Sequence, residues 1–130
     1  MAQPFRLSDH SIIGFVSTSD AERARQFYGE KLGLPLIAEE MPFALVYDAH
    51  GTMLRITIVK KVHPAGYTVL GWKVPDIASA AKGLSAAGVQ FMRYPGMQQD
   101  ELGIWTSPSG SRVAWFQDPD GNTLSISEHK

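Results

Sequence analysis

Few side chains in this chain could do chemistry, and the most informative two sit on alternating runs. In "QDPDGNTLSIS" (117–127) a tight turn opens into a stretch where Thr123, Ser125 and Ser127 share one side. Leu124 and Ile126 point the other way, as the period of two in a strand requires. In "TMLRITIVK" (52–60), Met53, Arg55 and Thr57 oppose Leu54, Ile56 and Ile58 in the same manner. A guanidinium on a half-buried strand is costly unless paired. Two readings of Arg55 are therefore open. It anchors a carboxylate, phosphate or enolate-like oxygen of a ligand, or it pairs with an internal acid such as Glu39, Asp48 or Glu101. Lys73 is a weaker anchor, because a strand-end lysine can swing its head into water.

Other chemistries find less support. His10 and His129 lie near the ends of the chain, His50 in a turn and His63 in a linker. No His-x-x-x-His pair or facial triad is written locally, so surface histidines are expected. The oxygens of "DPDGN" lack the spaced ligands and closing glutamate of a calcium loop, so a structural turn is the better reading. Glu39–Glu40 and Asp100–Glu101 read as solvated charges at strand ends or in loops. No G-x-S-x-G, P-loop or G-x-G-x-x-G motif is present. The chain has no cysteine, which removes thiolate nucleophiles, disulfides and cysteine zinc sites together.

The elements that must position these residues are legible in the pattern. "SIIGFVS" (11–17) reads as a strand, and "SDAERARQFYGEKLG" as a helix opened by a Ser19–Glu22 capping box. Ala21, Ala24, Phe27 and Tyr28 mark its apolar face, and Gly33 and Pro35 end it. "PLIAEE" and "PFALVYDA" read as strands. The order then recurs: the strand "TVLGWKV" (68–74), a helix capped by Asp76 with Ile77, Ala80, Ala81 and Leu84 on one face and Gly88 at its end, then a short strand at "VQFMRY". "SRVAWFQ" and "TLSIS" close the chain.

An ungapped match joins the two halves. "FALVYDAHGTMLRIT" (43–57) lies over "VAWFQDPDGNTLSIS" (113–127), so that Asp48 meets Asp118, Gly51 meets Gly121 and Arg55 meets Ser125. "IIGFV" (12–16) lies over "VLGWK" (69–73), with one extra residue before the first helix. A tandem repeat of two β-α-β-β-β units follows, one over about 10–60 and one over about 67–128, within a single domain of 1–130. The segment "PGMQQDELGIWTSPSG" (95–110) has no counterpart; it reads as a mobile loop with a short extra strand at "GIWT".

Each unit covers one sheet face with its helix and leaves the other bare. Pooling the bare faces gives an α+β fold: tandem βαβββ units forming a curved, cup-shaped mixed sheet with helices on the outer face. Alternation sends Ile13, Phe15, Leu54, Ile56, Leu70, Trp72, Leu124 and Ile126 under the helices. It turns Ile12, Gly14, Val16, Met53, Arg55, Val69, Gly71, Lys73 and Ser125 to the cup. Tyr67, Tyr94, Trp105 and Trp115, with Phe43 and Met53, could wall a pocket for a flat ligand. Trp105 is favoured among them because it lies in the unrepeated segment.

"SDAERARQFYGEKLGL", "VPDIASAAKGLSAAGVQF" and "WFQDPDGNTLSI", in that order over an internal repeat, resemble the vicinal oxygen chelate superfamily of glyoxalase I, bleomycin-resistance proteins and extradiol dioxygenases. The resemblance runs over roughly 10–128. Family members that do chemistry hold a divalent metal in the cup, through His, Glu or Gln at the start of the first strand and the middle of the last strand of each unit. Residue by residue, those places fall here on Ile12 (or Ile13, given the extra residue), Val69, Arg55 and Ser125. Isoleucine and valine have no donor atom, a guanidinium offers no lone pair, and a lone serine hydroxyl is weak. The resemblance therefore implies the fold while arguing against the family's metal chemistry.

The expectation is a cytoplasmic, metal-independent binding protein of the bleomycin-resistance type, with no metal and no other cofactor. Its ligand would be a small molecule, aromatic or anionic, held by Arg55, Met53, Trp105, Val69, Ile12, Ser125, Lys73 and Tyr67. The resemblance implies a homodimer. The alternatives are a metal-dependent lyase, isomerase or dioxygenase of the same superfamily, and an interaction module whose cup is filled by its own side chains. A formal net charge of -1 gives no bulk attraction for nucleic acid. The N-terminal stretch "MAQPFRLSDH" shows no leader, and no apolar run reaches the roughly 20 residues that span a bilayer.

Overall fold

A computed structural model describes residues 4–130; the first three residues of the stretch read above for a leader lie outside the described residues. Unit one contains β1 (Ile13–Thr18), α1 (Ala21–Ala24) running into a π-helical segment (Arg25–Lys31), β2 (Leu36–Glu40), β3 (Ala44–Ala49) and β4 (Thr52–Ile58). Unit two contains β5 (Thr68–Lys73), α2 (Ile77–Ala86), β6 (Trp105–Thr106), β7 (Arg112–Gln117) and β8 (Thr123–Glu128). Both sheets have the same plan, β1-β4-β3-β2 and β5-β8-β7-β6. In each the first strand lies parallel to the last and the remaining pairs are antiparallel. The sheets approach each other at β1 and β5. The result is the α+β arrangement of tandem βαβββ units, a curved, cup-shaped mixed sheet with helices on its outer face.

The apolar faces read from the sequence meet in one core. Leu54 and Ile56 of β4 and Leu124 and Ile126 of β8 are buried with Ala24, Phe27, Tyr28, Ile77 and Ala81 of the helical segments. The Phe27 ring reaches across to Phe116 of β7, at 6.3 Å between centroids, so the first helix packs on both units. Asp76 caps α2, accepting from the Ser79 amide at 3.2 Å. Gly33 and Gly88 end their helices at φ 77 and φ 100, values a side chain would resist. The twin turns also match: Gly51 and Gly121 have φ 90 and φ 87, and Asp48 and Asp118 each accept backbone amides of their own turn.

Three local expectations are corrected. The N-cap of α1 is Asp20, which accepts the Glu22 and Arg23 amides at 3.0 and 3.1 Å. Ser19 is not available for a capping box, because its hydroxyl and amide both donate to Asp120. "VQFMRY" forms no strand; only Phe91 bridges to Phe116. The missing strand is instead β6, drawn from the unrepeated segment, where Trp105 and Thr106 pair with Val113 and Arg112. Finally, register reverses the faces of β1. Gly14 and Val16 lie beside Leu54 and Ile56, while Ile13 and Phe15 lie beside Met53 and Arg55. Val16 is buried and Phe15 is 62% exposed, which agrees with that register.

The "DPDGN" turn does more than close a hairpin. Tyr28 donates its hydroxyl to Asp118 Oδ2 at 2.5 Å, and both residues are buried. Asn122 Nδ2 donates to the same oxygen and to the Ser17 carbonyl, each at 2.8 Å. Asp120 accepts from the Thr18 hydroxyl at 2.5 Å and from the Ser19 amide and hydroxyl at 2.9 and 2.7 Å. The turn of unit two is thereby tied to the end of β1 and to the first helix. Burial, with the Asp118 carboxylate beside it, pushes the Tyr28 phenol far above its ordinary value.

Candidate functional site

The open face of unit one is apolar with one ion pair. Ile13, Phe15, Met53, Arg55, Val46 and Ala38 share it by register. Arg55 pairs with Glu40, Nη2 to Oε1 at 2.6 Å. The internal acid is thus none of Glu39, Asp48 or Glu101. Alternation along β2 explains why: Glu40 shares a face with Ala38, whose chain of partners is Val46 and then Arg55. Glu39 points to the helix side and meets Arg25 at 2.6 Å. The Arg55 hydrogen bond, and then its charge, hold the Glu40 carboxyl below the usual carboxylate range. The guanidinium is consequently already matched by a carboxylate.

The open face of unit two is aromatic. Trp115 lies beside Ser125, and Trp105 lies beside Val113 of the same strand, so all four face one way. Trp115 contacts Trp105 at 6.0 Å and Tyr94 at 5.6 Å, the latter nearly perpendicular at 87°. Trp115 and Tyr94, with Tyr67, Met97, Thr68 and Thr123, bound a half-open hollow of about 290 Å³, and Trp105 is not among its walls. The loop that follows Tyr94 and supplies Met97, expected to be mobile, is pinned from within. Gln99 donates to the carbonyls of Met92 and Gly103 at 2.9 Å and accepts the Tyr94 amide at 2.8 Å. Arg93 donates to the carbonyls of Asp100 and Glu101. The wall is therefore a built one.

Ser125 is buried at the floor of this face, opposite Gly71. A side chain at Gly71 would set its Cβ 2.7 Å from Ser125 Oγ, so the glycine is what admits the hydroxyl. Tyr67 lines the hollow, and Trp105 stands behind Trp115. Val69 falls at an irregularity in the β5–β8 register and is 39% exposed. Lys73 lies exposed at the far end of β5. Met53 and Arg55 sit on the other sheet. Ile12 precedes β1 and is 75% exposed, and the cup position assigned to it passes to Ile13. Sequence reasoning placed Trp115 and Tyr94 only among possible walls, and missed Glu40, Met97 and Gln99. A second hollow of about 330 Å³, between Leu84 of α2 and Leu32, Leu34 and Phe116, lies on the helix side.

The side chains at the four cup positions do not fit a divalent metal. One is a guanidinium bound to Glu40, one a buried hydroxyl, and two are hydrocarbon. Among the described residues, no three His, Asp or Glu side chains gather where they could hold an ion. All four histidines are exposed. No helix of the described residues is long and apolar enough to cross a membrane.

Fold and site together define an open-cup α+β protein with an aromatic hollow in one half. The family model for the Glyoxalase/Bleomycin resistance protein/Dioxygenase superfamily matches residues 9–126, and the chain belongs to that superfamily. Solved structures agree. A protein from Bacillus anthracis assigned to the glyoxalase family superposes with a TM-score of 0.73 at 18% identity, over 100% of both chains. A superfamily member from Sphaerobacter thermophilus gives 0.69 at 26% identity, over 93% of this chain and 99% of its own. A lactoylglutathione lyase from Agrobacterium tumefaciens gives 0.69 at 16% identity, over 91% and 92%. No curated protein matches the chain.

Proposed function

We propose that this protein binds a small organic molecule, without a metal, in the aromatic hollow on the open face of unit two. The observation that carries the reading is the convergence of Tyr67, Tyr94 and Trp115 on one concavity, walled by a segment that Gln99 and Arg93 hold in place. An apolar concavity with a few polar groups is the usual form of a small-molecule site. Of the two ligand classes expected, the aromatic walls support a flat apolar part. The anionic class loses its anchor, because Arg55 is engaged by Glu40.

The working form is a cytoplasmic homodimer, acting on neither nucleic acid nor membrane. Ile12, Ile13, Phe15 and Met53 leave a contiguous apolar strip exposed on unit one, which a second copy would cover. The absence of cysteine suits a reducing compartment.

Three measurements test this. Small aromatic ligands titrated against tryptophan fluorescence should saturate, and Trp115→Leu should abolish the signal change and the binding. Metal analysis of protein purified without chelators should find no stoichiometric metal. Stoichiometric zinc, nickel, manganese or iron surviving dialysis would overturn the metal-free reading. Sedimentation should give a dimer that Phe15→Glu dissociates; a wild-type monomer at tens of micromolar would remove the dimer.

A further inference from the structure

We infer that the group this hollow takes is a fully alkylated ammonium, carried by a small free molecule; the inference rests on the binding reading above and names its ligand class. Three features of the lining converge on it. No charged side chain lines the hollow. The nearest predicted anchor on the same face, Lys73, is five residues along β5 from Thr68, about 16 Å at strand rise. The dominant electrostatic feature is therefore the negative faces of the aromatic rings, which attract a cation.

Three aromatic rings line the hollow. Tyr94 and Trp115 meet edge to face, 87° apart at 5.6 Å, and both line the hollow. Tyr67 adds a third ring at the mouth and is 69% exposed. Tyr94 turns its hydroxyl away, to Met92 Sδ at 3.4 Å. Met97 contributes a polarisable thioether.

The absence of a carboxylate in the lining favours an alkylated over a simple ammonium. A primary ammonium carries three donors that need acceptors. The side chains around the hollow supply only neutral hydroxyls, of Thr68, Thr123, Tyr67 and Tyr94, and no carboxylate to balance a compact charge, whereas a quaternary head spreads its charge over carbon and needs no hydrogen bond. Size agrees: about 290 Å³ lies just below the roughly 300–1,000 Å³ usual for small-molecule sites, which favours a compact head.

The experiment compares choline with 3,3-dimethylbutan-1-ol, its neutral isostere, and uses indole as a neutral aromatic probe. Binding is read by calorimetry and by tryptophan fluorescence on the wild-type protein. Choline should bind about tenfold more tightly than the isostere, within the range of a desolvated cation–π contact. Tyr67→Ala, at an exposed position that folding does not need, should weaken choline several-fold more than it weakens the isostere. Equal or tighter binding of the isostere overturns the inference, as does binding of indole alone, and either leaves the binding reading standing. Failure of all three probes overturns both. Sedimentation of the protein with phosphatidylcholine vesicles, undisturbed by excess choline, would assign the headgroup to lipid and overturn the free-molecule form.

Discussion

Replacing Tyr28 by phenylalanine removes one oxygen from the place where the two units are tied together. That oxygen donates to Asp118 Oδ2 at 2.5 Å, and Tyr28 and Asp118 are 1% and 5% exposed. A hydrogen bond to a charged group contributes roughly 1.5–3 kcal/mol net, and the ring stays in place to fill its volume. The carboxylate keeps Asn122 Nδ2 and the amides of Asp120 and Asn122, so it is not left bare. The expected loss is therefore about 2 kcal/mol. At roughly 2.1 cal/mol/K of unfolding entropy per residue, a chain of 130 residues should melt about 7 °C lower. Thermal unfolding followed by circular dichroism measures this directly. Urea unfolding should show a lower midpoint at an unchanged slope, which would place the loss in stability and not in compactness. A melting temperature within about 2 °C of wild type would refute the reasoning, because the buried bond would then contribute no more than an exposed one.

The same junction predicts a pH effect. Burial pushes the Asp120 carboxyl up, but hydrogen bonds from Thr18 and Ser19 and the charge of Arg23 outweigh it and hold the group below its usual value. Its stabilisation is then present above the unfolded value, near 3.9, and is lost as pH falls through the lower folded value. The stability gap between wild type and Asp120→Asn should shrink below about pH 4 in urea titrations; a constant gap would exclude the carboxylate. Gly71→Ala should destabilise by about 1–3 kcal/mol, through the contact with Ser125 Oγ. Adding Ser125→Ala should recover part of that loss, and a double variant no better than the single one would implicate the backbone instead. Arg55→Ala should leave both the melting temperature and the affinity of aromatic ligands within measurement scatter, since the pair with Glu40 is exposed and carries no free charge. A large loss of affinity would return Arg55 to the role of anchor.

The repeat and the outer faces were legible because they rest on short-range rules. Alternation in β4 and β8, the stripe of α2 and the glycines at helix ends each depend on a few neighbouring residues, and all are found as read. What failed depended on pairing partners far along the chain. The parity of β1 is set by its register with β4, and nothing in "SIIGFVS" states it. The third strand of unit two falls on Trp105 and Thr106, within the short strand read at "GIWT", and not on "VQFMRY", because Val113 and Arg112 present the edge it pairs with. Ser19 looked like a cap until Asp120, 101 residues away, took its hydroxyl. Glu40 was the one site partner within reach of pattern alone, since counting by two from Ala38 places it on the face of Arg55.

The twin turns show how a repeat can keep a shape while dividing its duties. Asp48 and Asp118 hold equivalent loops, each closed by a glycine in the left-handed region. Asp48 does only this. Asp118 also takes the Tyr28 hydroxyl, and its neighbours Asp120 and Asn122 hold the end of β1. A corresponding clasp from unit one would need an asparagine where Thr52 stands and an acid where His50 stands. With the junction fixed by one turn, the cup faces are free to differ. Unit one pairs its only cup-facing guanidinium with Glu40, and unit two collects its rings around the hollow. The positions that match in the repeat, Arg55 and Ser125, are thus alike only in place: one closes an ion pair, and the other fills the space that Gly71 leaves. A symmetrical metal site would require the two units to contribute matching donors, and the division of duties between them leaves none to match.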